Sequence, residues 1–176
     1  FEANYPTAPD EDIIIINIGA AVMSVTVLKD GATVFTRAVA MGGNLITDRM
    51  QKLLNISFKD AETLKIKKQM KGIDWNIVQP VIDMSLDDIA IEIKKSIDFY
   101  LSGVSGGYIN RIYLSGGCSK TKGLLDRIQE VTALPVEIIN PFSTVEYDRK
   151  SFDQKYMEDA APLFAVAVGL AMRIKG

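Results

Sequence analysis

An apolar run enters a glycine turn at Arg111-Ile112-Tyr113-Leu114-Ser115-Gly116-Gly117-Cys118-Ser119. The β-branched and aromatic residues of this run favour a strand, and the segment after the turn has helical spacing. Because glycine lacks a Cβ, the backbone amides of such a junction can approach a ligand closely. A second apolar run also ends in small residues, at Ile13-Ile14-Ile15-Ile16-Asn17-Ile18-Gly19-Ala20-Ala21. Together the two turns predict a nucleotide cradle built from distant parts of the chain.

Composition limits the chemistry that this chain can perform. It has 176 residues with a formal net charge of -2, one cysteine and no histidine. Without histidine there can be no Ser-His-Asp or Cys-His nucleophile pair, and one cysteine cannot build a disulfide or a structural zinc site. A net charge of -2 argues against a nucleic-acid-binding surface. Any chemistry would therefore use carboxylates, lysines, backbone dipoles and a hard metal such as magnesium.

Hydropathy argues against direct insertion into a membrane. No apolar run approaches the ~20 residues that a bilayer span needs. The longest run, residues 160–172, predicts a buried core helix. A single cysteine fits a reducing cytosol, and a start at Phe1 rather than at Met indicates a trimmed chain.

The first third of the chain predicts a three-stranded meander. Residues 13–18 form a continuous apolar run, which is typical of a central strand covered on both faces. Residues 22–28 and 32–39 have strand composition, and Asp30-Gly31 lies between them. Asp-Gly at this place favours a type I′ hairpin turn, because both central residues of that turn need a positive φ.

The middle of the chain predicts three helices. The first spans residues 44–54 with Asn44 as its cap, and the second begins at Ser57, where Asp60 completes a capping box. We expect these two helices to face inward through Ile46, Met50, Leu53, Leu54, Ala61, Leu64 and Ile66. Residues 72–76 break the pattern before a long helix. The inward positions of the long helix are Ile82, Leu86, Ile89, Ile93 and Ile97.

The last third alternates strand, helix, strand and helix. The predicted elements are a strand at 108–114, a helix at 124–131, a strand at 136–139 and a helix at 160–173. We expect residues 140–159 to be irregular. The whole arrangement is an α/β fold in which a meander is followed by an inserted helical lobe and then by a βαβα return to the first sheet.

This order resembles the second half of the actin-like ATPase (ribonuclease H-like) fold that actin, sugar kinases, heat-shock chaperones, FtsA and MreB share. The similarity is closest to the PilM family of type IV pilus assembly proteins. It rests on segments 17–20, 28–31, 35–37, 42–44 with Thr47, 61–65 and 161–171. The resemblance implies a C-terminal half without its N-terminal actin-like domain. Residues 1–43 and 108–176 would form subdomain IIA, and residues 44–107 an inserted subdomain IIB.

The resemblance also implies which residues bind nucleotide. The second phosphate turn would be Asn17, Gly19, Ala20 and Ala21, joined by Gly42, Gly43 and Asn44 from the same lobe. Glu62 and Lys65 would bracket the ribose and adenine, and Gly116, Gly117, Cys118 and Ser119 would form the adenosine loop. ATP and magnesium are the implied cofactors, bound through the full-length protein and weakly or not at all by this part alone. No catalytic residue and no metal ligand is assigned.

Each assignment has an alternative that the residues alone leave open. Gly42-Gly43 could simply end a strand before a helix. Glu62 and Lys65 could be a solvated surface pair worth a few tenths of a kcal/mol. Cys118 fits a small residue tolerated in a loop better than a nucleophile, because nothing nearby in the sequence lowers the pKa of its thiol.

Asn17 departs from the pattern of the hydrolytic members of the fold, which usually carry aspartate there. An amide keeps the size of the side chain but loses the charge that helps to hold hydrated magnesium and to polarise water. Ala20 and Ala21 likewise replace small or hydroxyl residues of many relatives. We therefore expect ATP binding with little or no turnover.

The leading interpretation is a nucleotide-binding scaffold of the pilus inner-membrane assembly platform, cytoplasmic and held at the inner membrane through partners. The implied partners are the cytoplasmic tail of PilN, which would dock mainly on the missing half, and other platform proteins, with self-association also open. The alternative is an active ATPase or small-molecule kinase of the same fold. A scaffold with a vestigial nucleotide site is a third interpretation.

Overall fold

The strands predicted near the two ends of the chain lie in one mixed sheet. The computed structural model describes residues 1, 4–5, 11–68, 70–104, 107–145 and 151–172. In chain order the elements are β1 (Asp12–Ile18), β2 (Met23–Lys29), β3 (Ala32–Val39), α1 (Asn44–Leu54), α2 (Phe58–Lys67), α3 (Trp75–Ser102), β4 (Arg111–Ser115), a short 3-10 helix (Gly117–Lys120), α4 (Leu124–Thr132), β5 (Val136–Ile138) and α5 (Gln154–Ala171). The strand order is β3-β2-β1-β4-β5. The predicted α/β class is confirmed.

The meander and the return strands meet at β1. β1 pairs antiparallel with β2, β2 pairs antiparallel with β3, and β4 lies parallel to both β1 and β5. Asp30 and Gly31 have φ values of 49° and 74°, as the predicted hairpin turn requires. Because β1 and β4 are parallel, the turns that follow them lie at the same edge of the sheet.

One face of the sheet carries most of the hydrophobic core. Ile14, Ile16 and Ile18 of β1 pack in one cluster with the buried residues of α1, α2, α3 and α4. The five inward positions predicted for the long helix are all buried. Residues 44–107 therefore share a core with the sheet, and their division into a separate subdomain stays a prediction.

The other face of the sheet carries a smaller cluster. Ile13, Tyr113 and Ile139 are buried there, and Phe1 and Tyr5 pack against them. The three aromatic rings of this cluster have centroids 4.8–5.1 Å apart. Between this face and α5 lies a groove of about 550 Å³, so the face is only partly covered.

Several predicted details of the helical part are wrong. Gly43, not Asn44, precedes the first turn of α1, and no side chain caps that helix. Leu53 and Ile66 are 44% and 74% exposed because they lie on the outer sides of α1 and α2. The cap at Ser57 is confirmed, since its side chain accepts a hydrogen bond from the backbone N–H of Asp60. α3 begins inside the predicted break, because the Asp74 side chain accepts from the N–H of Asn76.

The predictions for the last third differ most at its helix. α5 begins at Gln154, within the segment predicted to be irregular, and the side chain of Asp153 caps it. The prediction of a buried core helix is wrong, because Leu163, Val166 and Leu170 are 57%, 58% and 66% exposed. The buried residues of α5 lie in its N-terminal half, and the described residues leave the apolar surface of its C-terminal half uncovered.

Smaller differences concern the ends of elements. β4 begins at Arg111 rather than at Tyr108, whose side chain is 54% exposed. Residues 141–145 are irregular as predicted, whereas 146–150 and Arg173 lie outside the described residues. No helix in the described part of the chain combines the length and apolarity that a membrane span requires.

Candidate functional site

The turn after β1 is in direct contact with the segment that leads into α1. The N–H of Gly43 donates to the carbonyl of Gly19 at 2.9 Å, and the N–H of Asn44 donates to that of Ala20 at 2.8 Å. A Cβ on Gly42 would lie 2.4 Å from the Gly19 oxygen, so this crossing requires glycine. The pair Gly42-Gly43 therefore does more than end a strand, because it closes two backbone segments against each other.

The turn after β4 joins the same place. Asn17 of β1 is in register with Ser115 of β4. A Cβ on Gly116 would lie 2.5 Å from Asn17 Oδ1, and one on Gly43 would lie 3.6 Å from Cys118 Cβ. The structure thus brings three separate turns to one edge of the sheet, where ligands of open α/β sheets commonly bind.

Helix α2 is tied to these turns by a polar network. Lys65 Nζ donates to the Gly43 carbonyl at 3.3 Å and to Thr47 Oγ1 at 2.8 Å. Glu62 forms an ion pair with Lys65 and also accepts from the Thr47 hydroxyl. The side chains of Lys65 and Glu62 are 19% and 30% exposed, so the ion pair is partly buried, and its role in nucleotide binding stays a prediction.

Electrostatics keep Glu62 ionised. Burial alone would raise the pKa of the Glu62 carboxyl, but hydrogen bonds from Lys65 and Thr47 and the positive charge of Lys65 outweigh it and lower the pKa. Thr47 was not among the predicted site residues. Its place four residues after Gly43, one turn into α1, is the signal that could have identified it.

Cys118 and Ser119 face inward. Ser119 Oγ donates to the Gly116 carbonyl at 2.7 Å, so this hydroxyl stabilises the turn. Burial raises the pKa of the Cys118 thiol, which agrees with a small loop residue and not with a nucleophile. Gly117, which lies between Gly116 and Cys118 in the sequence, is exposed.

A cleft of about 970 Å³ opens between α2, the first turns of α3 and the loop after β4. Lys65 and Gly117 line it, together with Trp75, Gln79 and Leu163. Among the described residues, one acidic side chain, that of Asp83, and five basic ones also line this cleft: Lys65, Lys68, Lys120, Lys122 and Arg127. Lys65, Lys120 and Arg127 form ion pairs with acidic neighbours, so the excess of positive charge rests mainly on Lys68 and Lys122. A moderate excess of this kind fits an anionic ligand.

The remaining predicted residues lie at the rim or on the other side of the sheet. Ala20 and Ala21 are exposed at the turn after β1. Asn17 lines the groove under α5 with Ser24 and Ser115, and touches the other predicted residues through Gly116. Within the described ranges no group of three or more Cys, Asp or Glu side chains is placed to hold a metal ion.

Comparison with known proteins identifies the family. Residues 4–175 match the family described as type IV pilus assembly protein PilM. This chain belongs to that family. A solved structure, the PilM-PilN type IV pilus biogenesis complex, superposes with a TM-score of 0.81 at 27% identity, over 94% of this chain and 46% of that chain.

More distant relatives share the actin-like fold. The cell division protein FtsA of Enterococcus faecalis is 25% identical over the matched region. That region comprises 75% of this chain and 34% of FtsA. MreB5 of Spiroplasma citri, solved with AMPPNP, superposes with a TM-score of 0.63 at 15% identity, over 93% of this chain and 52% of that chain. This chain thus spans about half of the length of the solved PilM chain and about a third of the length of the curated FtsA relative.

Proposed function

We propose that this chain supplies one half of a nucleotide cleft in an actin-like scaffold of type IV pilus assembly, and that it holds ATP with little hydrolysis. The main support is the meeting of three glycine-containing turns beside a cleft rich in basic side chains. Relatives of the same fold were solved with AMPPNP and with ADP. The residues proposed to hold the nucleotide are Asn17, Gly19, Ala20, Ala21, Gly42, Gly43, Asn44, Glu62, Lys65, Gly116, Gly117, Cys118 and Ser119.

Different parts of this set act in different ways. The turns around Gly19 and Gly43 would offer backbone amides to phosphate, while Cys118 and Ser119 would act by shaping their turn. Lys65 would place a positive charge next to the ribose. Glu62 would hold that lysine in position. Magnesium bound with ATP would neutralise phosphate charge. Because residue 17 is asparagine, this chain offers no carboxylate there to hold the ion.

The proposed biological role is coupling between nucleotide state and pilus partners. The solved PilM-PilN complex supports PilN as a partner. The PilN tail would dock mainly outside this half. Contacts with other platform proteins, self-association, and a cytoplasmic position peripheral to the inner membrane belong to the same proposal. The division into subdomain IIA (1–43 and 108–176) and subdomain IIB (44–107) is also part of this proposal.

Replacing Lys65 tests the nucleotide site. Lys65→Ala in the complete protein should weaken ATP binding about tenfold (~1.4 kcal/mol), because the cleft loses a positive charge and the Gly43 turn loses its bond to α2. Calorimetric titration with ATP and magnesium measures the effect. Lys67→Ala is the matched control, since Lys67 is exposed on the same helix. Equal ATP affinity in both variants would contradict the proposed site, provided that their melting temperatures match.

Replacing Asn17 tests the low hydrolysis. Asn17→Asp in the complete protein should raise phosphate release from ATP and magnesium about tenfold, because the carboxylate restores the missing charge (~1.4 kcal/mol of barrier). Unchanged turnover with intact ATP binding would show that Asn17 is not the limiting residue. Fast phosphate release from the unmodified protein would instead favour the alternative, an active ATPase or kinase.

A further inference from the structure

Unpaired positive charge is concentrated in residues 52–71, here called the basic segment, which run from the end of α1 through α2. The basic segment contains six lysines and two acidic residues, whereas the whole chain has a net charge of -2. One of the six, Lys65, is held by Glu62 in an ion pair. The other five are exposed and form no ion pair with any described residue: Lys52, Lys59, Lys67, Lys68 and Lys71.

Outside the basic segment, positive charge mostly serves internal contacts. Four of the six lysines and all four arginines that the structure describes there form ion pairs with carboxylates. Arg37, Arg49 and Arg127, for example, each pair with an acidic side chain of α3 and so connect other elements to that helix. Within the described structure, the five unpaired lysines of the basic segment have no such structural role.

Large apolar side chains are exposed among these lysines. Phe58 and Ile66 are 46% and 74% exposed. At 3.6 residues per turn, both lie on the side of α2 opposite its buried residues, and so do Lys59 and Lys67. Ile66 also lies at the edge of the cleft. A helix side that combines exposed apolar and basic side chains is typical of a surface that binds at the interface between a membrane and water.

We propose that the basic segment binds directly to the surface of an anionic lipid bilayer, without spanning it. Each lysine close to such a surface strengthens binding about fivefold, because its amine is attracted to the negatively charged headgroups. Phe58 adds an apolar side chain that can enter the headgroup region. This inference goes beyond the proposed function and does not depend on nucleotide binding.

Two features favour a lipid surface over an acidic protein or a nucleic acid. The basic segment contains no arginine, the residue whose planar side chain recognises a carboxylate or a phosphate through two parallel bonds. Four of its five unpaired lysines, all except Lys68, lie outside the cleft and outside the groove under α5. They are therefore not arranged around either concave site. A bilayer presents a continuous layer of charge, which needs neither a groove nor a fixed bonding geometry.

Vesicle sedimentation tests this inference with the complete, tag-free protein, in the absence of nucleotide and of any partner. One set of vesicles contains phosphatidylcholine alone, and the other contains about one third phosphatidylglycerol, an anionic lipid. We expect at least about tenfold stronger binding to the anionic vesicles. Raising the salt concentration from about 0.05 M to about 0.5 M should remove this difference, because salt screens the attraction.

Lys59→Glu and Lys155→Glu form a matched pair. Each lysine is exposed, is the second residue of its helix, and lies behind a side-chain cap, at Ser57 in α2 and at Asp153 in α5. Both substitutions change the net charge equally. Lys59→Glu should weaken binding to anionic vesicles about tenfold, and Lys155→Glu less than about twofold. Equal effects would mean that net charge alone matters and would overturn the assignment to the basic segment.

A second matched pair tests the apolar contribution. Phe58 and Phe152 are 46% and 48% exposed, and Phe152 lies outside the basic segment. Phe58→Ala should weaken binding to anionic vesicles about threefold, whereas Phe152→Ala should leave it unchanged. Unchanged binding by Phe58→Ala would overturn the role of Phe58.

The remaining outcomes decide whether lipid is the ligand. No binding to anionic vesicles, or equal binding to both kinds of vesicle, would overturn the inference. Binding of polyglutamate without binding of vesicles would assign the basic segment to an acidic protein partner and would overturn it as well. Because nucleotide is absent throughout, each of these results leaves the proposed nucleotide cleft untouched. Circular dichroism and melting curves exclude misfolded variants.

Discussion

Single glycines decide whether the turns of the candidate site can meet. Gly116 has φ 84° and ψ 164°, a region of backbone conformation that is essentially restricted to glycine. Its Cα faces the Asn17 side chain and the Ile18 carbonyl, so there is no room for a Cβ. Two requirements, conformation and space, therefore coincide at one residue.

Two glycine substitutions separate the requirement for a positive φ from the requirement for space. Gly116→Ala should lower the free energy of unfolding by about 3 kcal/mol, because strain and a clash with backbone add. Gly72→Ala should cost only ~1 kcal/mol, since Gly72 has φ 82° but no atom of the described residues lies within 4 Å of its would-be Cβ. Urea unfolding measures both values. Equal losses would show that the close approach to Asn17 and Ile18 adds nothing.

The ion pair between Glu62 and Lys65, with its hydrogen-bond partners, connects helices α1 and α2 to the glycine turns. Lys65 spans from Glu62 on its own helix to Thr47 on α1 and to Gly43. The link is local to the site, whereas the apolar contacts of Met50 and Leu64 hold the two helices in the common core. Its contribution should therefore depend on pH, while the apolar contribution should not.

Acid titration tests this link. Because folding lowers the pKa of the Glu62 carboxyl, its stabilisation is fully present above the ordinary carboxyl pKa of about 4.3 and is lost as the pH falls through the lowered pKa. Glu62→Gln should be less stable than the unmodified protein at pH 7, and the difference should vanish in acid. Urea unfolding from pH 7 to pH 3 follows it. Glu130→Gln, an exposed residue of α4, should show no such convergence. A constant difference for Glu62→Gln would contradict the link.

The elements were predictable to different degrees. The hairpin at Asp30-Gly31 and the long helix could be read from the sequence because turn chemistry and apolar periodicity act locally. The exposure of α5 could not, because burial depends on what packs against a helix and not on its composition. Trp75 and Gln79 were missed for a similar reason, since only the packing of α3 beside α2 and the loop after β4 makes them part of a cleft.

Over the whole molecule, the two faces of the sheet are covered unequally. Four helices pack in the large cluster on one face, while the other face has α5 and a groove of about 550 Å³. The exposed apolar residues of α5, among them Leu163, Val166 and Leu170, extend this uncovered surface. In the 176-residue chain itself, such a patch should attract apolar molecules.

Charge on α5 tests the exposed surface. The double substitution Val166→Lys and Leu170→Lys should reduce binding of an apolar fluorescent dye by this chain several-fold, with a change in stability within about 0.5 kcal/mol, because both side chains are exposed. Dye emission and thermal melting measure the two effects. Ala167→Lys, at an exposed position of the same helix, is the control. Undiminished dye emission, or a large loss of stability, would mean that this surface is covered.

The parallel pairing of β1 with β4 also sets the order of events during synthesis. The backbone N–H of Asp12 bonds to Asn110, which is 98 residues further along the chain. A ribosome that adds about 5–20 residues per second delivers this partner roughly 5–20 s after β1 has emerged. During that interval the hairpins of β1, β2 and β3 can form, but the isoleucine-rich edge of β1 stays open to other chains. The newly made protein therefore passes through a stage at which aggregation competes with folding, and the candidate site forms only after that stage ends.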